Sequence, residues 1–500
     1  MSKFYITTPI YYINSEPHIG SAYPTLAADV LARYHRLKGD EVMFLTGSDE
    51  HGAKMAESAQ KAGKTPQEFC DQMAAKFMEC WDELDISNDD FIRTTENRHQ
   101  AGVIEFVEKL KAAGAIYEGE YQGYYCQGCE AFLTERDLIN GQCAIHKTKP
   151  QLIIEKNYFF NLKKYLPEIK RLIDSGEMKI FPESRKKEVL GLFKQDIGDF
   201  SITRSSVKWG IPLPWDNSQV IYVWVDALTN YITALGYGSK DISKLEKFWP
   251  VDVHLLGKDI LKFHCIYWPA MLLAVGLPVP RNFYVHGFFT VDGQKMGKSL
   301  GNVIDPFNLI KEFGTDATRY LLLSQFPFGQ DGDIKAGQFV IQYNSDLANG
   351  IGNFASRVTS MAEKYFSGIV PARHNELKKT VEKIWQDYEN SLEVFQVDQA
   401  IEAIKKINQL GDSYIEKNKP WDLAKNNQIR LAEVIYNLLE LLRHLGIALW
   451  PIMPETSEKI LQALGQTDFY QKNFVTLKVW GLLEPKSQVK KNELLFPRIQ

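Results

Sequence analysis

The spacing of apolar residues changes along the chain, and each change marks a different kind of element. Lys3-Phe4-Tyr5-Ile6-Thr7-Thr8 is a run of strand formers followed by a turn carrying Asn14 and Pro17. Leu26, Val30, Leu31 and Tyr34 then share one face of a 3.6-residue repeat, which predicts a helix opening near His18. Glu41-Val42-Met43-Phe44-Leu45 predicts a second strand, with Gly47-Ser48-Asp49-Glu50-His51-Gly52 as its polar end. Alternating strands and helices over 1–115 predict a parallel α/β sheet, which binds ligands beyond its C-terminal strand ends. From 116 to 218 the texture shifts to aromatics, glycines, a cysteine cluster and a Pro-rich stretch between Trp209 and Trp215, an insertion interrupting the sheet. Val220-Ile221-Tyr222-Val223-Trp224-Val225 predicts a strand resuming the α/β pattern over 219–290, where His254-Leu255-Leu256-Gly257 is another strand end. A Lys- and Gly-bearing loop opens the stretch 291–342. In 343–500 Gly and Pro thin out, and Ala432, Ile435, Tyr436, Leu439, Leu442 and Leu445 recur at helical spacing, predicting a helical domain.

Composition narrows the class. Five hundred residues suffice for several domains, and a 45% apolar content is ordinary for a globular chain. No run of about 18 uninterrupted apolar residues occurs, so no helix is expected to span a membrane. No basic segment with an apolar core precedes the first strand, and a cytoplasmic protein is expected. Six cysteines in this length are too few for a disulfide framework. A net charge of −4 leaves no global basic field. A nucleic-acid partner would be held by local patches such as Lys163-Lys164, Arg185-Lys186-Lys187 or Lys490-Lys491.

Two strings carry chemistry. His18-Ile19-Gly20-Ser21 opens the first helix, where unpaired N–H groups and the positive end of the dipole stabilise phosphate. His18 adds a side-chain donor, and Gly20 permits close approach of a ligand. Lys295-Met296-Gly297-Lys298-Ser299 brings two ammonium groups in a loop flanked by Gly293 and Gly301, suited to closing over a polyphosphate. A third pattern, Cys126-x2-Cys129, thirteen intervening residues, then Cys143-x2-His146, has the spacing of a tetrahedral Zn²⁺ knuckle. Thiolates with one imidazole favour zinc, and four protein ligands make the site structural. Cys70, Cys80 and Cys265 read as packing residues.

The two strings, in this order, resemble the HIGH and KMSKS signatures of class I aminoacyl-tRNA synthetases. Ser21 replaces the second His and Gly297 the first Ser, while the second Lys is kept. The editing insertions of the leucine, valine and isoleucine enzymes would not fit between 115 and 220. Over essentially its whole length the chain is similar to methionyl-tRNA synthetases, in the form with one zinc knuckle and no appended C-terminal tRNA-binding module. The matching strings are Thr8-Pro9-Ile10-Tyr11-Tyr12-Ile13-Asn14, Gly47 to Gly52, Tyr222-Val223-Trp224-Val225-Asp226-Ala227, and Gly257-Lys258-Asp259-Ile260 leading into Phe263-His264.

That resemblance implies a Rossmann-like catalytic domain split by the zinc-knuckle insertion, followed by a KMSKS-loop region and an α-helical anticodon-binding domain. It implies ATP-dependent ligation of L-methionine to tRNA through methionyl adenylate. The methionine pocket would use Ile10, Tyr12, Trp224, Tyr231, Phe263 and His264, with Asp49 on the α-ammonium. A thioether packs well on aromatic edges, and a Tyr hydroxyl or imidazole could donate weakly to the sulfur. ATP would meet His18, Gly20, Ser21, Gly257, Asp259, Lys295 and Lys298, with Mg²⁺ held mainly by phosphates and water. His18, Lys295 and Lys298 would neutralise charge in the adenylation step.

Asn349, Asn353 and Arg357 recur every four residues on one helix face, and Pro420-Trp421 marks a later helix start. By resemblance Asn353, Arg357, Pro420 and Trp421 would read the anticodon of methionine tRNAs, initiator and elongator, Trp421 by stacking on a base. A core position is the alternative for that indole. A monomer is implied by analogy with the family. The rival readings are another class I synthetase, a small-molecule adenylyltransferase and a non-catalytic RNA-binding protein derived from a synthetase.

Overall fold

The computed structural model describes all residues except 1, 127–130, 134–137, 145–146, 196, 297–301, 336, 468 and 470–471. Its centre is a seven-stranded sheet whose ladders are all parallel. In chain order the strands are β1 (Lys3–Thr7), β2 (Tyr11–Tyr12), β3 (Glu41–Asp49), β4 (Asp90–Arg93), β5 (Lys179–Phe181), β6 (Val253–Gly257) and β7 (Asn282–His286). They lie in the order β5-β7-β6-β1-β3-β2, with β4 also on β3. Thr7 pairs with Leu45 but Tyr11 with Ser48, so the chain takes up one extra residue between β1 and β2. Such a bulge redirects side chains at a strand end. The sheet runs from β1 to β3 on one side and later to β6 on the other, so a ligand crevice opens at the C-terminal ends of β1 and β6.

Two expectations change. The edge strand β5 lies inside the stretch read as an insertion and pairs with β7, Ile180 against Phe283. Three residues are too short for a periodicity to show. The strand expected over Val220–Val225 ends at Ile221, in an antiparallel ladder outside the main sheet. Tyr222 then caps helix α3 (Val223–Thr233), which follows α1 (Ile19–Lys38) and α2 (Asn97–Ala112). Every residue of α3 except Trp224 is buried, so the run is apolar because all its faces are covered. A short apolar run cannot be told from a strand by period alone. The remainder of 116–218 is built around an antiparallel sheet in which Ile116–Cys126 pairs with Gln151–Phe160.

The C-terminal part is helical, as expected: α5 (Asn353–Phe366), α6 (Val397–Asn418), α7 (Pro420–Asn426) and α8 (Gln428–Leu449) follow α4 (Thr315–Leu323). Helix α1 is sandwiched between the sheet and these helices in one continuous core. Its buried Asp29 meets Arg33 at 2.8 Å and Arg319 of α4 at 2.6 Å. Arg319 also donates to the carbonyls of Leu84, Asp85, Pro451 and Ile452, tying the sheet half to the helical half. No helix among the described residues is long and apolar enough to cross a membrane.

Candidate active site

His18 caps α1 from extended backbone, with Nδ1 accepting the Gly20 N–H at 3.0 Å. In the neutral ring Nε2 then carries the proton. Ser21 completes the cap: its hydroxyl donates to His18 O at 2.8 Å and accepts from His18 N–H at 3.2 Å. Ile19 N–H bonds Ile304 O at 3.2 Å. The expected row of unpaired N–H groups is therefore corrected, since the first donors of α1 already have partners inside the chain. The positive end of the dipole is unchanged by these contacts. A Cβ on Gly20 would lie 2.8 Å from His18 Cε1 and 3.4 Å from Met296 Cε, so only glycine fits between them. Met296 of the second string thus lies against the helix start. Lys295 ends the two-residue strand Gln294–Lys295. Lys298 lies outside the described residues.

The residues expected around methionine converge at the sheet end and on α3. Asp49, 4% exposed, ends β3, opposite Tyr12 in register. Trp224 and Phe263 stack with ring centroids 3.9 Å apart and planes 5° from parallel. Both are only partly buried, as are Ile10 and Tyr12, and all four pack on the same core. Behind the stack the Tyr231 hydroxyl lies 2.8 Å from His264 Nε2, and His264 Nδ1 lies 3.0 Å from Ile260 O. Burial pushes the His264 pKa down to about 4, so the ring is neutral. Its proton sits on Nδ1 and goes to the Ile260 carbonyl, so Nε2 accepts from Tyr231. Both donors expected to face the sulfur are therefore engaged with the protein. In this aromatic group the donor with no acceptor among the described residues is Trp224 Nε1.

Gly257 ends β6 beside His286 of β7. A Cβ there would meet Asp259 Oδ1 at 2.7 Å, which keeps the exposed Asp259 carboxylate close over the strand end. Two groups had no assigned role. His254 of β6 is buried against the Tyr231 ring at 4.2 Å and lies 2.7 Å from Thr7 Oγ1. Its pKa falls well below the usual value through burial and the neighbouring His264. Glu50 is fully buried and accepts from Ser48 at 2.6 Å and from Arg93 at 2.7 and 3.0 Å, anchoring the backbone beside Asp49. Its only signal in the sequence was membership of the polar strand end.

Of the expected zinc ligands, Cys129 and His146 lie outside the described residues. Cys126 and Cys143 are both 1% exposed. Thr148 lies against both, its Oγ1 3.9 Å from Cys126 Sγ and its carbonyl accepting the Cys143 N–H at 2.9 Å. Two buried thiols on neighbouring strand pairs, both against Thr148, have the chemistry a soft metal prefers.

In the helical part a wider π-type winding over Tyr343–Gly352 tightens to α-helix at the exposed Asn353. Arg357, half-buried, is held 3.2 Å from both Asp412 and Glu416 near the end of α6. Pro420 is buried at the start of α7, and Trp421 is 41% exposed. The core alternative for Trp421 is overturned.

The arrangement has relatives. The family model described as class I tRNA synthetases (M) matches residues 4–143 and 134–359. That of the anticodon binding domain of methionyl tRNA ligase matches 367–500. The methionine–tRNA ligase of Thermotoga maritima is 44% identical over 99% of this chain and 80% of its own length. That of Nostoc sp. is 43% identical over 99% of this chain and 97% of its own. Mycobacterium tuberculosis methionyl-tRNA synthetase in complex with methionyl-adenylate superposes with a TM-score of 0.95 at 36% identity, covering 100% of both chains.

Proposed function

The chain belongs to the methionyl-tRNA synthetases of class I, and from that premise we propose how its own residues carry the reaction. It ligates L-methionine to tRNA with ATP, through methionyl adenylate. The observation that carries the pocket assignment is the partly open Trp224–Phe263 stack, packed on the same core as Ile10 and Tyr12, with Tyr12 opposite the buried Asp49 at the sheet end. Asp49 binds the α-ammonium. Ile10, Tyr12, Trp224 and Phe263 enclose the side chain, and the Tyr231–His264 pair braces the stack from behind. Thioether–aromatic contacts are worth ~0.3–1.5 kcal/mol each.

In the first step the methionine carboxylate oxygen attacks the α-phosphorus, and the bond to the bridging oxygen of pyrophosphate breaks. His18 Nε2–H donates to phosphate oxygens at the start of α1. Lys298, supported by Lys295, neutralises the charge that grows on the leaving pyrophosphate. Asp259 accepts from the ribose hydroxyls, and Gly257 leaves room for the sugar. Ser21 keeps the helix start closed through its cap. Mg²⁺, when bound with ATP, adds charge neutralisation on phosphate oxygens. In the second step a terminal ribose hydroxyl of tRNA attacks the methionyl carbonyl and AMP leaves.

Cys126, Cys129, Cys143 and His146 would hold one structural Zn²⁺, which would brace the insertion. Asn353, Arg357, Pro420 and Trp421 would read the anticodon of initiator and elongator methionine tRNAs. Pyrophosphate exchange that requires methionine, is not supported by leucine or isoleucine, and continues into tRNA charging tests the whole reading. Lys298→Ala should lower the adenylation rate far more than it weakens methionine binding, because the partner charge develops only in the transition state. An unchanged rate with weakened methionine binding removes that role.

A further inference from the structure

Behind the amino-acid end of the site is a buried cluster that the reaction described above does not use. Asp226 lies in the first turn of α3, two residues after Trp224, and is fully buried. Its Oδ2 is 2.7 Å from His51 Nδ1, and its Oδ1 is 2.7 Å from His99 Nε2. His51 follows Asp49 by two residues and is 4% exposed. His99, in α2, is fully buried, and its Nδ1 lies 2.8 Å from Thr233 Oγ1 at the far end of α3. Helix α2 can come this close because residue 102 is glycine. A Cβ there would stand 2.4 Å from Thr233 Cγ2 and 2.6 Å from Tyr237 O.

A carboxylate in such surroundings is costly unless donors surround it. Burial pushes Asp226 up, and the two imidazoles outweigh it and hold the carboxyl below its ordinary value. An apolar residue at 226 would pack such a core at no electrostatic cost. What the ionic cluster adds is a fixed geometry between elements that share no ladder. The loop after β3 is already anchored from its other side: Glu50 N–H bonds Thr94 Oγ1 at 3.0 Å, and Gly52 N–H bonds Trp209 O at 3.0 Å. The Trp209 indole N–H returns to Glu50 O at 2.6 Å. His51 supplies the link from this loop to α3.

We propose that His51, Asp226 and His99 form a positioning relay that sets the Asp49 carboxylate and the Trp224 indole at the spacing methionine requires. The relay rests on the reading of those two residues as methionine contacts. His51 and Asp226 join the strand end to α3, and His99 holds Asp226 and Thr233 so that the first and last turns of α3 are registered on α2. None of the three touches substrate.

The test is pyrophosphate exchange with separate titrations of methionine and ATP. His51→Ala cuts the link. It should raise the methionine KM about tenfold or more and leave the ATP KM within about twofold, since misplacement falls on one substrate only. His51→Asn, whose amide N–H overlays Nδ1–H, should restore most of the methionine KM. Asp226→Asn guards against misfolding. Its amide can accept from His51 and donate to His99 once that ring carries its proton on Nδ1 toward Thr233. It should melt near the parent protein yet raise the methionine KM several-fold, because the charge-assisted bonds are lost. An unchanged methionine KM, parallel rises in both KM values, or no recovery with His51→Asn overturns the relay. Trp224→Ala is run beside them. If it leaves the methionine KM unchanged, the pocket reading fails. If it raises that KM and the His51 and Asp226 variants do not, only the relay fails.

Discussion

Asp29→Asn should destabilise the whole chain, although it lies far from any proposed substrate contact. The carboxylate is fully buried in α1 and accepts from Arg33 at 2.8 Å, Arg319 at 2.6 Å, and Ser87 through N–H at 2.7 Å and hydroxyl at 2.6 Å. Burial alone would raise its pKa. Arg319 and Arg33 outweigh burial and hold it at about 2, against 3.8. That difference corresponds to roughly 2 kcal/mol, which is present above pH ~4 and lost as pH falls through the folded value. The substitution does more than lose this term, because it leaves the fully buried Arg319 guanidinium without its counter-charge, a defect worth about 3–5 kcal/mol. At ~2.1 cal/mol/K per residue, unfolding 500 residues together has an entropy near 1 kcal/mol/K. The melting temperature should therefore fall by about 3–5 °C, and by more if the unit that melts is smaller. Differential scanning calorimetry at pH 7 measures this. Asp174→Asn, which removes an exposed pair with Lys170, is the control and should shift the melt by less than about half a degree. A melt for Asp29→Asn within a degree of the parent would refute the argument that this pair rivets α1 to the helical half.

Trp421→Ala should raise the tRNA KM and lower kcat/KM for charging by roughly five- to a hundredfold, the loss of one stacked base. Since the indole is 41% exposed, the melting temperature should hold, and a large fall with normal charging would assign it to packing instead. Purified protein should contain one zinc per chain by elemental analysis, and Cys129→Ser should lose it and impair tRNA charging more than pyrophosphate exchange. A zinc-free protein from metal-supplemented expression would sink that assignment. His264, with its pKa depressed to about 4, is neutral in the folded chain where the unfolded chain is protonated. Stability from this group is present above pH ~6.5 and lost as pH falls toward 4, so His264→Gln should flatten the melting profile between those values. An unchanged profile would contradict a neutral buried ring.

The parallel sheet, the helical C-terminal part and the helix start at His18 were legible because each depends on local order. Strand runs such as Glu41–Leu45, the periodicity of α8 and the cap at His18 repeat a rule within a few residues. Contacts between distant segments left no such mark. The run Val220–Val225 has strand composition, yet it turns into a helix at Val223 because the surrounding core covers every side except that of Trp224. Lys179–Phe181 joins the main sheet only because β7 offers it an edge. Ser21 departs from its signature without leaving a gap, since its hydroxyl closes the cap on His18. The aromatics proposed for the pocket could be listed from the sequence, but which of them keeps a donor without an acceptor among the described residues was decided by the Ile260 carbonyl, which sets the His264 tautomer and turns Tyr231 inward. Sequence order can say which residues bring charge or an aromatic face. Only the folded chain decides where each proton points and which carboxylate two imidazoles share, because those choices depend on partners more than a hundred residues away, as His99 and Asp226 are.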